Sequence, residues 1–226
     1  MRRVRAVTPS STTPNRPRPR AVVFDFGGVL ITPITNQVGE VARRHGVSTA
    51  VLLEVLLGPR ASGNHPWHRA ERGELAVAAI QPLLTPYAEA AGISLDGDEI
   101  DALLAPGGYT VVDAMLQTVR SLRAQGVVTA LLTNTFAEFR PTMQRDIPFD
   151  WFDAVVESFA VGARKPEPAI YEATARMLGM EHTDIVYLDD FDQNLEPAQG
   201  LGWTTIHVTD PSSALAALDA LFGRSA

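Results

Sequence analysis

Four short apolar runs in this 226-residue chain each give way to side chains that can do chemistry. Ala21-Val22-Val23-Phe24 delivers Asp25 and then two glycines, Gly27 and Gly28. Residues 127–132 run into Thr133-Asn134-Thr135. Ala154-Val155-Val156-Glu157 leads to Lys165 beside Pro166 and Pro168, and Ile185-Val186-Tyr187-Leu188 ends in Asp189-Asp190, with Asp192 and Asn194 close behind. In that order they offer a carboxylate nucleophile, a hydroxyl and an amide suited to phosphate oxygens, a cation, and paired oxygen ligands. Adjacent carboxylates repel unless a cation or strong donors compensate them, and hard oxygens so placed suit Mg²⁺. Each position alone also has a plain structural use. Asp25 or Thr133-Asn134 could cap a following turn or helix, Lys165 could be solvated, and Asp189-Asp190 could be a solvated acidic loop.

The elements that must position these groups are buried strands. Short apolar runs bounded by turn signals suit a parallel sheet covered on both faces, and open α/β sheets keep their ligand crevice at the carboxyl ends of the strands. Gly27 and Gly28 let the chain turn sharply and bring a peptide group close to whatever Asp25 touches. Gly126 is expected to end a helix carrying Val119 and Leu122, and the two prolines to start one after Lys165. Residues 195–202 read as a helix and 204–208 as a strand, with Leu215, Leu218 and Phe222 on the face of a last helix.

Residues 34–107 show no convincing strand. Val38, Val41 and Ala42 fall on one helical face, Val51, Leu52, Val55 and Leu56 on another, and Leu75, Ala79 and Leu83 on a third. A block of this length exceeds an ordinary crossover and reads as a small helical cap inserted after the first strand. Its most polar and aromatic stretch, residues 65–74, holds His65, Trp67 and His68 and fits either a solvated loop and helix start or a substrate-facing wall.

With 46% hydrophobic residues the chain can bury a full core, and no stretch has the apolar length of a membrane helix. It has no cysteine, which removes disulfides, thiolate metal sites and cysteine nucleophiles and fits a cytoplasmic protein. Residues 1–20 carry six of the 19 basic residues and no acid, leaving 13 basic against 26 acidic residues, a net −13, in the rest. An acidic body argues against nucleic-acid binding. The Arg/Pro-rich residues 1–20 are expected to be disordered, and Arg2-Arg3 lacks the apolar segment of a secretory signal, so export is not expected. A transit peptide, or upstream sequence without function, has the same composition.

The four strand ends together resemble the haloacid dehalogenase (HAD) superfamily, most of whose members transfer phosphoryl groups through an aspartyl intermediate. The resemblance spans about residues 21–208. Residues 165–171 and 188–198, with His68 and Glu71-Arg72-Gly73-Glu74, are most similar to the branch holding the phosphatase domain of soluble epoxide hydrolase and bacterial sugar-1-phosphate phosphatases. It implies an α/β fold: a Rossmann-like parallel core, residues 21–33 and 108–226, with a helical cap over 34–107.

By position, the resemblance implies that Asp25 attacks phosphorus and that Mg²⁺ is bound by Asp25, the Gly27 carbonyl and Asp190, with Asp189 and Asn194 steadying that site. Thr133, the Asn134 backbone or side chain, and Lys165 would hold the phosphoryl oxygens, and His68 would face the substrate. One departure stands out. Many HAD phosphatases carry Asp two residues after the nucleophile as the acid and base, and this chain has Gly27 there. The favoured expectation is a Mg²⁺-dependent phosphatase acting on a small organic phosphate or diphosphate. The alternatives are carbon–halogen hydrolysis and a non-catalytic module that binds phosphate ligands. Oligomeric state is not legible.

Overall fold

The computed structural model describes residues 18–33, 35–59, 63–104 and 108–223. Five strands, β1 (Ala21–Phe24), β2 (Val128–Thr133), β3 (Ala154–Glu157), β4 (Ile185–Asp189) and β5 (Thr204–His207), form one parallel sheet in the order β3-β2-β1-β4-β5. The expected strands are present with shifted ends: β2 begins one residue later and takes in Thr133, β4 extends to Asp189, and β5 stops at His207. The two extensions share a cause, because Thr133 and Asp189 still pair with Glu157 and His207 on the neighbouring strands while their side chains turn to other work.

Alternation along β1 assigns its two faces. Val22 and Phe24 pack with Leu131, Val186 and Leu188 against α6 (Asp113–Ala124) and α11 (Pro211–Leu221). Ala21 and Val23 pack with Ala130, Leu132 and Tyr187 against α9 (Pro168–Leu178) and α10 (Asp192–Gly200). Covered on both sides, β1 is buried along its length, and Phe24 is level with Leu131 on one side and Leu188 on the other. That register sets Asp25 in the middle of the sheet's carboxyl edge. α10 begins three residues before the apolar pattern placed it, since Asp192 accepts from the Gln193 amide at the helix start.

Between β1 and β2 lie α1 (Thr35–Arg44), α2 (Thr49–Leu57), α3 (Pro66–Glu71), α4 (Ile80–Ala90) and α5 (Gly97–Leu104). They share a core of their own, which Phe136 joins from the loop after β2. The chain leaves and returns side by side, with Ile31 bridged antiparallel to Val111 and Thr32 N donating to Thr110 O at 2.8 Å. The expected face Leu75, Ala79, Leu83 is incorrect. α4 buries Ile80, Leu84 and Ala88 instead, and Leu83 is 40% exposed. Both sets satisfy a spacing of four, and the short 3₁₀ turn Val77–Ala79 resets the phase before α4 starts.

Of the tail expected over residues 1–20, residues 1–17 lie outside the described residues. The described body is already under way by Arg18, whose guanidinium stands 5.2 Å over the Phe222 ring. Arg20 donates its amide to Asp184 O at 2.8 Å and accepts from Val128 N at 3.0 Å, so it extends the strand ladder. No described helix is long and apolar enough to cross a membrane.

Candidate active site

Asp25 follows β1 directly, and its Oδ1 accepts from the Phe26 amide at 2.7 Å, so it does cap the turn that follows. Capping is only part of its use, because Lys165 Nζ lies 2.8 Å from the same oxygen while Oδ2 has no protein partner among the described residues. Lys165 is 1% exposed and also meets Asp189 Oδ2 at 2.7 Å. One ammonium thus sits between two carboxylates at the edge of the central strands. Burial opposes its charge, yet Asp189 and Asp25 outweigh burial and raise its pKa above the ordinary lysine value. Burial pushes Asp25 well above the usual carboxylate range, with Lys165 opposing and Asp189 and Asp190 adding to the rise.

Asp189 is the most saturated member. Lys165 and the Tyr187 hydroxyl donate to Oδ2, the Phe191 amide donates to Oδ1 at 2.8 Å, and Asn194 Nδ2 reaches both oxygens at 3.0 and 3.1 Å. Asp190 is the opposite case. Its Oδ1 is buried without a partner, and burial, reinforced by Asp189, lifts its pKa to about 7. Ligand atoms of Asp25, Asp189 and Asp190 lie within 4.8 Å of one another. Three carboxylates around one ammonium leave an excess of two negative charges when all are ionised, which a divalent cation suits. The free oxygens belong to Asp25 and Asp190, so those two fit a cation directly, and Asp189 is spent on the protein.

Two glycines shape the floor. Gly28 has φ +67°, and a Cβ there would lie 2.0 Å from Asp190 Oδ2, so only glycine leaves room for that carboxylate. Gly27 has ordinary extended angles, φ −68° and ψ 137°, and a Cβ there would meet nothing within 4 Å.

Thr133 is 3% exposed, and its hydroxyl makes only a long 3.4 Å contact to Asn134 O. Of the two possibilities for Asn134, backbone or side chain, the side chain is committed within the protein. Its Nδ2 donates to Lys165 O at 3.0 Å and its Oδ1 accepts from Lys165 N at 2.8 Å, clamping the lysine's backbone and leaving the Asn134 main chain to meet a ligand. Ser158 holds the same loop through the Thr135 amide at 2.9 Å.

The solvated alternative for residues 65–74 fails over its first half. His65, Trp67, His68 and Glu71 are all buried, and His68 lines the same cavity of about 650 Å³ as Asp25 and Lys165. Glu71 accepts from Trp67 Nε1 at 2.8 Å and from Arg164 Nε, and Arg72 meets Glu167 at 3.1 Å. Two ion pairs therefore tie α3 to the segment carrying Lys165. Arg164 and Glu71 escaped the sequence reading. The available signal was Arg164 adjoining Lys165 before the prolines, and Glu71 lying in a motif noted only for resemblance.

Both histidines are held neutral. Burial, with Arg164 nearby, brings His65 to about 4, and burial, Arg164 and His65 bring His68 to about 4. His68 Nδ1 accepts from the Gly63 amide at 3.1 Å, so the ring proton belongs on Nε2, which has no partner. Because these folded values lie below the unfolded value of about 6.5, the unfolded chain takes up protons first as pH falls, and stability is lost between about pH 6.5 and 4. The loss at pH 5 is about 1–2 kcal/mol per histidine. His65→Asn keeps an acceptor for the Trp67 amide and should shrink the drop between pH 7.5 and 5, read from urea midpoints. An unchanged drop would show that His65 titrates normally.

The haloacid dehalogenase-like hydrolase family profile matches residues 19–202. Mouse acyl-CoA dehydrogenase family member 10 is 33% identical over 90% of the chain and 19% of its own length, and rat bifunctional epoxide hydrolase 2 is 30% identical over 90% and 39%. The chain therefore spans between a fifth and two fifths of these longer relatives. A sesquiterpene phosphatase of Aspergillus oryzae is 30% identical over 90% of the chain and 97% of its own length. A HAD family enzyme of Bacteroides thetaiotaomicron, solved with magnesium and inorganic phosphate, shares the fold at a TM-score of 0.58 and 21% identity, covering 83% of this chain and 93% of that one.

Proposed function

The chain belongs to the haloacid dehalogenase-like hydrolase family, and from that premise we propose that it is a Mg²⁺-dependent phosphatase of small organic phosphates working through an aspartyl-phosphate on Asp25. The observation that carries the reading is the pairing of Asp25 with Lys165 at 2.8 Å while Asp25 Oδ2 and Asp190 Oδ1 have no partner among the described residues. A carboxylate cannot approach a phosphate dianion until positive charge offsets both. Lys165 supplies one such charge, already oriented by Asp189 and by the Asn134 clamp, with no reorganisation at the moment of reaction. Asp25 Oδ2 attacks phosphorus, the bond to the leaving oxygen breaks, and water then displaces Asp25 from phosphorus. The Thr133 hydroxyl and the Asn134 main chain hold the equatorial oxygens.

Asp25, the Gly27 carbonyl and Asp190 would hold Mg²⁺, and Asp189 and Asn194 would steady them. Bound there, the ion would supply further charge neutralisation at the phosphoryl oxygens. The residues between β1 and β2, roughly 34–107, act as the cap over the cavity, and His68 lines it as a neutral imidazole. The reading is tested by p-nitrophenyl phosphate turnover with and without Mg²⁺, beside chloride release from haloacids. Metal-dependent phosphate release with no chloride is expected. Chloride release without metal would replace the phosphatase by a dehalogenase, and silence in both would leave a binding module.

A further inference from the structure

α2 is apolar on both sides, which a helix packed on one face has no need to be. Leu52, Val55 and Leu56 fill the core of the helical segment. Leu53 and Leu57, on another face, line the cavity that holds Asp25, where Trp67, Phe136, Phe139 and Met143 join them. A cavity of about 650 Å³ falls in the range of roughly 300–1,000 Å³ that encloses a whole organic ligand, far more than a phosphate group needs.

Exposed Glu54 and half-buried Thr142 and Gln193 also line the cavity, but the buried polar groups of the wall are largely committed. Both Glu71 oxygens are taken by Trp67 and Arg164, and the Thr135 hydroxyl is turned to Met143 Sδ at 3.3 Å. His68 Nε2 and Arg164 Nη1 have no partner among the described residues, and both atoms are sealed from solvent. A polyol buried there would leave several hydroxyls unpaired, each weakening binding about tenfold or more, whereas each buried methylene strengthens it about fourfold.

We propose that the leaving group of this chain's substrate is an apolar, hydrocarbon-like alcohol, seated between the Leu53–Leu57 face of α2 and the aromatic side chains Trp67, Phe136 and Phe139, and not a sugar. The inference rests on the phosphatase reading for the phosphate end and on the cavity wall for the rest.

The test uses two series on the whole protein with Mg²⁺, kept below micellar concentrations. Turnover is measured for ethyl, butyl, hexyl, octyl and decyl phosphate beside glucose 6-phosphate and ribose 5-phosphate, whose leaving oxygens are likewise those of primary alcohols. Binding is measured calorimetrically for the matching alkylphosphonates, which cannot be hydrolysed. Affinity should climb by up to about fourfold per methylene until the cavity is full, kcat/KM should follow, and Leu57→Asn should flatten both. A flat phosphonate series, or sugar phosphates cleaved better than decyl phosphate, overturns the proposal. A steep phosphonate series without turnover of any ester would sink the phosphatase reading and keep the apolar site. Good turnover with a flat series would do the reverse.

Discussion

Asp25→Asn should lower phosphatase turnover on the order of 10⁴-fold or more and leave the fold in place. Both present donors to this side chain, Phe26 N and Lys165 Nζ, reach Oδ1, and an asparagine keeps an acceptor there. The new amide would stand where Oδ2 has no protein partner, so no hydrogen bond is broken. What disappears is the carboxylate that attacks phosphorus and one of the oxygens offered to the metal. Burial already disfavours the Asp25 charge, so the variant should melt no lower than wild type in Mg²⁺-free buffer. Turnover of p-nitrophenyl phosphate and a thermal melt on the same preparation decide the matter. Activity near wild type would remove Asp25 as nucleophile, and a collapsed melt would mean that its charge is structural.

The strand ends were legible because the signal is local: a buried strand must be apolar, so a polar residue that interrupts it at the crevice edge has to be explained by a partner or a ligand. Asp25, Thr133 and Asp189-Asp190 were found in this way, and Lys165 through its prolines. What the sequence could not show was how these groups divide the work. Asp189 and Asp190 are adjacent and chemically alike, yet the first is saturated by Lys165, Tyr187, Phe191 and Asn194 while the second keeps a free oxygen. Asn134 could have met a phosphate through its backbone or its side chain, and only the structure shows that the side chain is spent on Lys165. The helical segment was legible as helical, but the phase of α4 was not, since Leu75-Ala79-Leu83 and Ile80-Leu84-Ala88 satisfy the same spacing and only tertiary packing chooses. The Arg164–Glu71 pair joins residues 93 positions apart, a distance that no periodicity reports.

Gly27→Asp should raise the hydrolysis of alkyl phosphates by on the order of 10²–10⁴-fold and change aryl phosphates much less. The wild-type chain has no carboxylate two residues after Asp25, and His68, a residue of the cavity wall that could stand in for it, is neutral with a pKa of about 4 and its ring proton on Nε2. A neutral imidazole N–H is a hydrogen-bond donor and a very weak acid. The leaving oxygen must therefore depart with little help, and wild-type kcat/KM should fall steeply as the leaving-group pKa rises. Anomeric phosphates, phosphoanhydrides and aryl phosphates should outpace simple alkyl esters of equal size. The backbone at Gly27 is ready for a side chain, with φ −68° and ψ 137° and nothing within 4 Å of a new Cβ, unlike Gly28, where φ is +67° and Asp190 fills the space. A carboxyl group at Gly27 would enter the cavity beside Asp25 at little conformational cost. A leaving-group series on wild type and Gly27→Asp measures both slopes. A flat wild-type slope would mean that another group donates the proton, and a bell-shaped pH profile lost in His68→Ala would identify it as His68. Equal slopes in the two proteins would show that a carboxylate at Gly27 does not reach the leaving oxygen.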